Sequence, residues 1–180
     1  ITNNLNNIRF QNVQLSVTSS SGAIGLYNTG TNILIDSCVA RGADDQTTGN
    51  NYGFRMAHTS GTANIRNTFV FGLEGSGGSN YNRGFYASGA GTTNWHNCAV
   101  YGDETTTGYL YGFQDNGSTT AATNCYAKGD NPYASIDTLT TSAAHNTAGT
   151  TANLDNIALT TTNFIDPLNG TSTSRDFSLV

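Results

Sequence analysis

Residues Thr92–Gly102, TTNWHNCAVYG, carry the pattern on which the rest of the chain is built. With Cys98 as the anchor, five relatives align: NIRFQNVQLSV around Val13, NILIDSCVARG around Cys38, ANIRNTFVFG around Thr68, AATNCYAKG around Cys125 and ANLDNIALTT around Ile157. The steps between successive anchors are 25, 30, 30, 27 and 32 residues. Self-similarity at such a period marks a solenoid, in which each repeat is one unit that buries its apolar face only by stacking on its neighbours.

Within the copies, apolar and polar columns interleave. Three residues before the anchor stand Phe10, Ile35, Ile65, Trp95, Ala122 and Leu154; two after it stand Leu15, Ala40, Val70, Val100, Ala127 and Leu159. Between them runs a polar column, Gln11, Asp36, Arg66, His96, Thr123 and Asp155. This is the two-residue period of a strand with one buried and one wet face. Trp95 precedes small Ala122 in its column, the volume compensation expected of coils stacked in register. A second piece recurs ahead of each anchor, IGLYNTGT from Ile24, YGFRMAHTSGT from Tyr52, RGFYASGAGT from Arg83, YGFQDNGST from Tyr111 and SAAHNTAGT from Ser142. Its Gly25, Gly53, Gly84 and Gly112 permit a bend, and Leu26, Phe54, Phe85 and Phe113 are expected to stack inward.

These columns predict an all-β fold, a right-handed parallel β-helix of about six coils over residues 1–160, closed by an irregular capping segment at 161–180. A propeller or sandwich would need antiparallel hairpins, and a propeller blade a longer repeat. Composition agrees: 21 glycines, two prolines and abundant Asn, Thr and Ser favour short strands and turns over helices. The net charge of −5 with only seven Lys and Arg argues against nucleic acid, and no apolar run is long enough to enter a membrane. The chain begins at Ile1 without a leader-like stretch and is read as a fragment of a longer protein.

The ending F-I-D-P…N-G…D-F-S-L, together with Asn97-Cys98-Ala99-Val100-Tyr101-Gly102 and Asn124-Cys125-Tyr126-Ala127-Lys128-Gly129, resembles the right-handed β-helix repeat proteins of the pectate-lyase-like and tailspike-like solenoid superfamily. The resemblance is to secreted bacterial or phage-associated members and covers most of the chain. It implies an architecture shared by lyases, glycosidases, tailspikes and adhesins, and no single activity.

Four sets of residues are candidates for a role. The column Asn12, Ser37, Asn67, Asn97, Asn124 and Asn156 suits a turn ladder. Cys38, Cys98 and Cys125 occupy the anchor column as small buried thiols rather than a disulfide framework. Asp44, Glu74 and Glu104, each two residues after a glycine, would line a ridge able to hold Ca²⁺, with Asp45, Asp103 and Asp130 nearby. Tyr81, Tyr86, Tyr109 and Tyr111 are the candidate carbohydrate contacts, placed with Tyr52 and Tyr133 in or beside loops. No catalytic residues are assigned, because the histidines His58, His96 and His145 are scattered and no lyase motif is present. The expected function is a non-catalytic structural or adhesive β-helix of an extracellular, cell-surface or virion assembly. It would contact polysaccharide through lateral loops and associate as a homo-oligomer or with other subunits, with no cofactor beyond Ca²⁺. The alternative is a polysaccharide lyase or glycoside hydrolase.

Overall fold

The anchor pattern folds as a strand, a one-residue left-handed corner and a second strand. Asparagine tolerates the left-handed region better than other residues with a side chain. Asn12, Ser37, Asn67, Asn97, Asn124 and Thr141 occupy it, with φ between 45° and 56°. The corner brings each coil's backbone under the next, so the amide N–H of Asn67 donates to the His96 carbonyl at 3.0 Å and that of Asn97 to Thr123 at 3.0 Å. Side chains add a partial ladder on the exposed edge, Asn97 Nδ2 to Asn67 Oδ1 at 3.3 Å and Asn67 Nδ2 to Asp36 Oδ1 at 3.2 Å.

The computed structural model describes residues 1–17, 22–42, 49–73, 81–101, 109–145, 164–166 and 176–179, none of them helical. The first coil supplies β1 (Thr2–Asn3), β2 (Arg9–Gln11) and β3 (Gln14–Val17); the second β4 (Ile24–Asn28), β5 (Ile33–Asp36) and β6 (Val39–Gly42). Next come β7 (Asn51–Met56), β8 (Thr62–Arg66) and β9 (Phe69–Phe71), then β10 (Tyr81–Ala87), β11 (Thr92–His96) and β12 (Ala99–Tyr101). The last two passes give β13 (Tyr109–Asp115), β14 (Thr119–Thr123) and β15 (Tyr126–Lys128), then β16 (Asn131–Ala134), β17 (Thr138–Thr140) and β18 (Ala143–His145). Every third strand pairs in parallel, giving three six-stranded sheets: sheet I from β1 to β16, sheet II from β2 to β17 and sheet III from β3 to β18. This is a parallel β-solenoid whose first and last passes are abbreviated. Separately, β19 (Phe164–Asp166) and β20 (Asp176–Leu179) pair antiparallel within the expected closing segment.

Between the sheets lies one core. Leu26, Phe54, Phe85 and Phe113 point inward as expected, with stacked ring centroids 5.4 Å apart for Phe54–Phe85 and 4.9 Å for Phe85–Phe113. Trp95 is buried between Ile65 and Ala122 in register and meets Phe113 edge-on at 5.5 Å, so the small residue below accommodates the large one. Burying each ring contributes about 2–3 kcal/mol of apolar transfer free energy. Cys38, Cys98 and Cys125 are free and buried. Each thiol donates to the carbonyl two residues back, at 3.3 Å in all three cases. Thr68 and Ser142 fill the same column and make the same bond, at 2.8 and 3.0 Å. The anchor is thus a short donor that satisfies a carbonyl at the corner, and burial pushes the Cys98 thiol well above its ordinary range.

The sixth coil differs from the one read in the sequence. Asn131–Ala134 lies under the YGFQ strand, Tyr133 pairing with Phe113, and Ser142 lies under Cys125 after only 17 residues. Ser142-Ala143-Ala144 is therefore the corner and strand of sheet III, not a copy of the Gly-Phe piece. The proposed copy around Ile157, with Leu154, Asp155, Asn156 and Leu159, lies outside the described residues.

Candidate functional site

Glycine decides what sheet I shows to solvent. A Cβ on Gly84 would come within 2.4 Å of Val100 Cγ2 and 2.8 Å of the Gly112 carbonyl oxygen, and one on Gly53 within 2.8 Å of Val70. The glycines thus face the core directly, and the phenylalanine after each faces it too. With two consecutive inward residues, the outward positions fall three apart instead of two. Tyr52 and Arg55, Arg83 and Tyr86, and Tyr111 and Gln114 accordingly share one outer face.

In-register stacking turns these pairs into a lattice. Tyr52, Arg83 and Tyr111 form one column, and Tyr27, Arg55, Tyr86 and Gln114 the other. Tyrosine and arginine therefore alternate along both directions. Tyr52 and Tyr86 stack diagonally at 5.4 Å, and the two guanidiniums flank them. Arg55 lies 5.1 Å from the Tyr27 ring centroid, 5.3 Å from Tyr52 and 5.7 Å from Tyr86. Arg83 lies 4.8 Å from Tyr81, 4.9 Å from Tyr86, 5.2 Å from Tyr52 and 5.7 Å from Tyr111. These are cation–π distances. Arg83 Nη1 donates to the Tyr52 hydroxyl at 3.2 Å, and its Nε donates to Gln114 Oε1. Among the described residues, the only ion pairs are those of Asp36, on a different sheet.

The carbohydrate-contact candidates separate into distinct positions. Tyr81 is 36% exposed and tilts against Tyr111, ring centroids 5.9 Å apart. Tyr86 is only 9% exposed; its hydroxyl accepts from Asn116 Nδ2 at 3.2 Å, and its ring positions the arginines. Tyr109 pairs with Tyr81 through the backbone, and its side chain is outside the described part of the molecule. All four residues, and Tyr52, lie in strands of sheet I, Tyr81 and Tyr109 at the first positions of β10 and β13, and Tyr133 points into the core, stacked on Phe113 at 5.2 Å. Asp44, Glu74 and Glu104, the Ca²⁺ ridge, lie outside the described residues, as do Asp45 and Asp103. Asp130 is described, and its carboxylate accepts from the Leu110 amide at 2.8 Å.

Arg55, Arg83 and Tyr27 were missed in the sequence as members of a site. Their signal was present in the pieces IGLY, YGFR, RGFY and YGFQ, each with a large or polar residue on both sides of Gly-Phe or Gly-Leu. A buried amide pair was also missed. Asn51 Nδ2 donates to Asn82 Oδ1 at 2.8 Å, and Asn51 Oδ1 accepts from the Ala23 amide at 2.9 Å, fixing the start of the strands that carry the lattice.

Sheet II presents a different surface. Arg9 and Arg66 both donate to Asp36 Oδ2, at 3.3 and 2.9 Å. The hydrogen bond from Arg66, with those from Asn67 and Ser37, holds the Asp36 carboxyl at about 2. Beside this cluster is a half-open cleft of about 570 Å³, lined by Asn64, Asn94, Asn67, Asn97, Arg66 and His96 among others. His96 is exposed there, on the wet face as expected.

The fold defines the class, a parallel β-solenoid, through its three stacked sheets. No protein-family model, curated protein or solved structure matches the chain.

Proposed function

We propose that this solenoid is a non-catalytic structural and adhesive module of an extracellular, cell-surface or virion assembly, and that it contacts glycans through the outer face of sheet I. The observation that supports this reading is the lattice itself. Three Gly-Phe bends place Tyr52, Tyr86, Tyr111, Arg55 and Arg83 on one rigid face beside half-exposed Tyr27 and the more exposed Tyr81. Aromatic rings with polar tips offer a flat apolar surface to the C–H face of a sugar and a hydrogen-bonding rim to its hydroxyls. Because the rings are fixed by stacking, little side-chain entropy is lost on binding. A homo-oligomer or other subunits of the same assembly are the proposed partners, meeting Ile1 and Leu5, which among the described residues are the most exposed large apolar side chains.

The test is binding to a panel of immobilised polysaccharides. Wild-type protein is expected to bind at least one, and Tyr81→Ala combined with Tyr111→Ala to weaken binding about tenfold, equivalent to about 1.4 kcal/mol. Binding that survives loss of both rings, or no binding to any member of the panel, overturns the reading.

A further inference from the structure

The two arginines of sheet I are held differently from any other described arginine whose partners are known. On sheet II, Arg9 and Arg66 share one carboxylate. On sheet I, Arg55 and Arg83 sit on the two remaining corners of the square whose diagonal is the Tyr52–Tyr86 stack, and each contacts both rings. Neither meets a carboxylate among the described residues. Arg55 Nε–H is buried without an acceptor. Arg83 commits Nε to Gln114 and Nη1 to Tyr52, which orients the guanidinium plane.

Two like charges on adjacent rungs repel, and tyrosine rings offset only part of that through their quadrupoles. The chain carries more acid than base, 12 Asp and Glu against seven Lys and Arg, so carboxylates are the commoner charge. A pair of guanidiniums held by rings, close together and with donors unspent, leaves a local positive field that an external anion would complete. Guanidinium suits this use, because its planar fork matches carboxylate and sulfate geometry and it stacks on aromatic faces while doing so.

We infer that the sheet I face selects anionic polysaccharide, a sugar chain bearing carboxylate or sulfate groups. Its sugar rings would lie on Tyr81 and Tyr111 and its acid groups at Arg83 and Arg55. The inference rests on the glycan-contact reading above and adds the charge of the ligand to it. It requires no metal ion, since the guanidiniums themselves supply the positive charge.

The experiment compares unmodified dextran, carboxymethyl dextran and dextran sulfate, which share one backbone, with poly-glutamate as an acidic peptide, all in EDTA. Carboxymethyl dextran and dextran sulfate are expected to bind at least tenfold more tightly than dextran, with the preference falling as NaCl is raised. Arg55→Gln combined with Arg83→Gln is expected to bring the three dextrans to within about twofold of one another, whereas Arg9→Gln on sheet II leaves the preference intact. Thermal melting of each variant shows whether it is folded. Should the double variant be unfolded, the salt dependence of the wild-type preference decides alone, and a preference insensitive to NaCl overturns the inference. Equal binding of dextran and its anionic derivatives overturns the charge selectivity and leaves glycan contact standing, whereas no binding to any dextran overturns the charge selectivity on this backbone and leaves the glycan panel to decide contact. A preference abolished by EDTA, or one that survives loss of both arginines in a folded protein, overturns the assignment to these residues. Poly-glutamate binding as tight as that of carboxymethyl dextran shows a surface that reads charge alone and overturns the polysaccharide assignment.

Discussion

Arg66 on sheet II and Arg83 on sheet I both point outward, yet the solenoid holds them by different physics. Arg66 meets the Asp36 carboxylate directly at 2.9 Å and is about half exposed, so its partner is a charge and the pair is open to screening by solvent. Arg83 lies among four tyrosine rings, so its partners are polarisable faces, reached through van der Waals contact. A charge pair is closed to further anions and is screened by salt. A ring cage retains the net charge and depends on packing. The contrast sets a ring-held cation on one side of the molecule against a carboxylate-paired one on another, although both sides come from the same repeat.

Three measurements act on this contrast, the first with the largest effect. Gly84→Ala removes the bend that puts Arg83 and Tyr86 on one face. The added Cβ would meet Val100 Cγ2 at 2.4 Å, and overpacking of this kind is expected to lower stability by about 3 kcal/mol, read as a shift in denaturation midpoint. A variant as stable as wild type would mean that sheet I does not need glycine there. Next, a double-mutant cycle between Arg83→Gln and Tyr86→Leu should give a coupling of about 1 kcal/mol, the range for partly desolvated cation–π pairs. That coupling should be retained in high salt, whereas the contribution of Arg66 with Asp36 declines. A coupling that vanishes with salt would make the two sheets equivalent.

The smallest effect concerns pH. Asp36 titrates at about 2 in the folded protein against 3.8 ordinarily, because of its hydrogen bonds from Arg66, Asn67 and Ser37. A lowered carboxylate pKa stabilises the fold above the unfolded value and is lost as pH falls through the folded one. Melting temperature should therefore decline between about pH 4 and about pH 2, and Asp36→Asn should be less stable at neutral pH while losing that component of the acid slope. An unchanged slope would show that other carboxylates carry it. Among the described residues, sheet I has no arginine–carboxylate pair.

The corners and core were legible in the sequence because each leaves a compositional mark. Asn67, Asn97 and Asn124 announce the left-handed turn, and Trp95 over Ala122 announces the stacking order. The sixth coil left none: Pro132 replaces Gly112, Tyr133 replaces Phe113, and Thr141-Ser142 replaces Asn124-Cys125. Ser142 makes the anchor's hydrogen bond with oxygen instead of sulfur, which a search for Asn-Cys passes over. The tyrosine–arginine face left a signal in the repeated Gly-Phe pieces, but alternation hides it for a geometric reason. Strict strand alternation puts Tyr52 and Arg55 on opposite faces, and only the inward Gly53-Phe54 pair brings them together. Alternation alone therefore leaves the tyrosines in or beside loops and directs attention to the segments after Gly42, Gly72 and Gly102, of which 43–48, 74–80 and 102–108 lie outside the described residues.

Among the described residues, Pro132 lies in the last strand of sheet I, β16. An edge strand is a template on which another chain can polymerise, and proline withholds one of the amide donors that such growth needs. Any strand added beside β16 would find no amide donor at Pro132, a consequence of the primary structure alone.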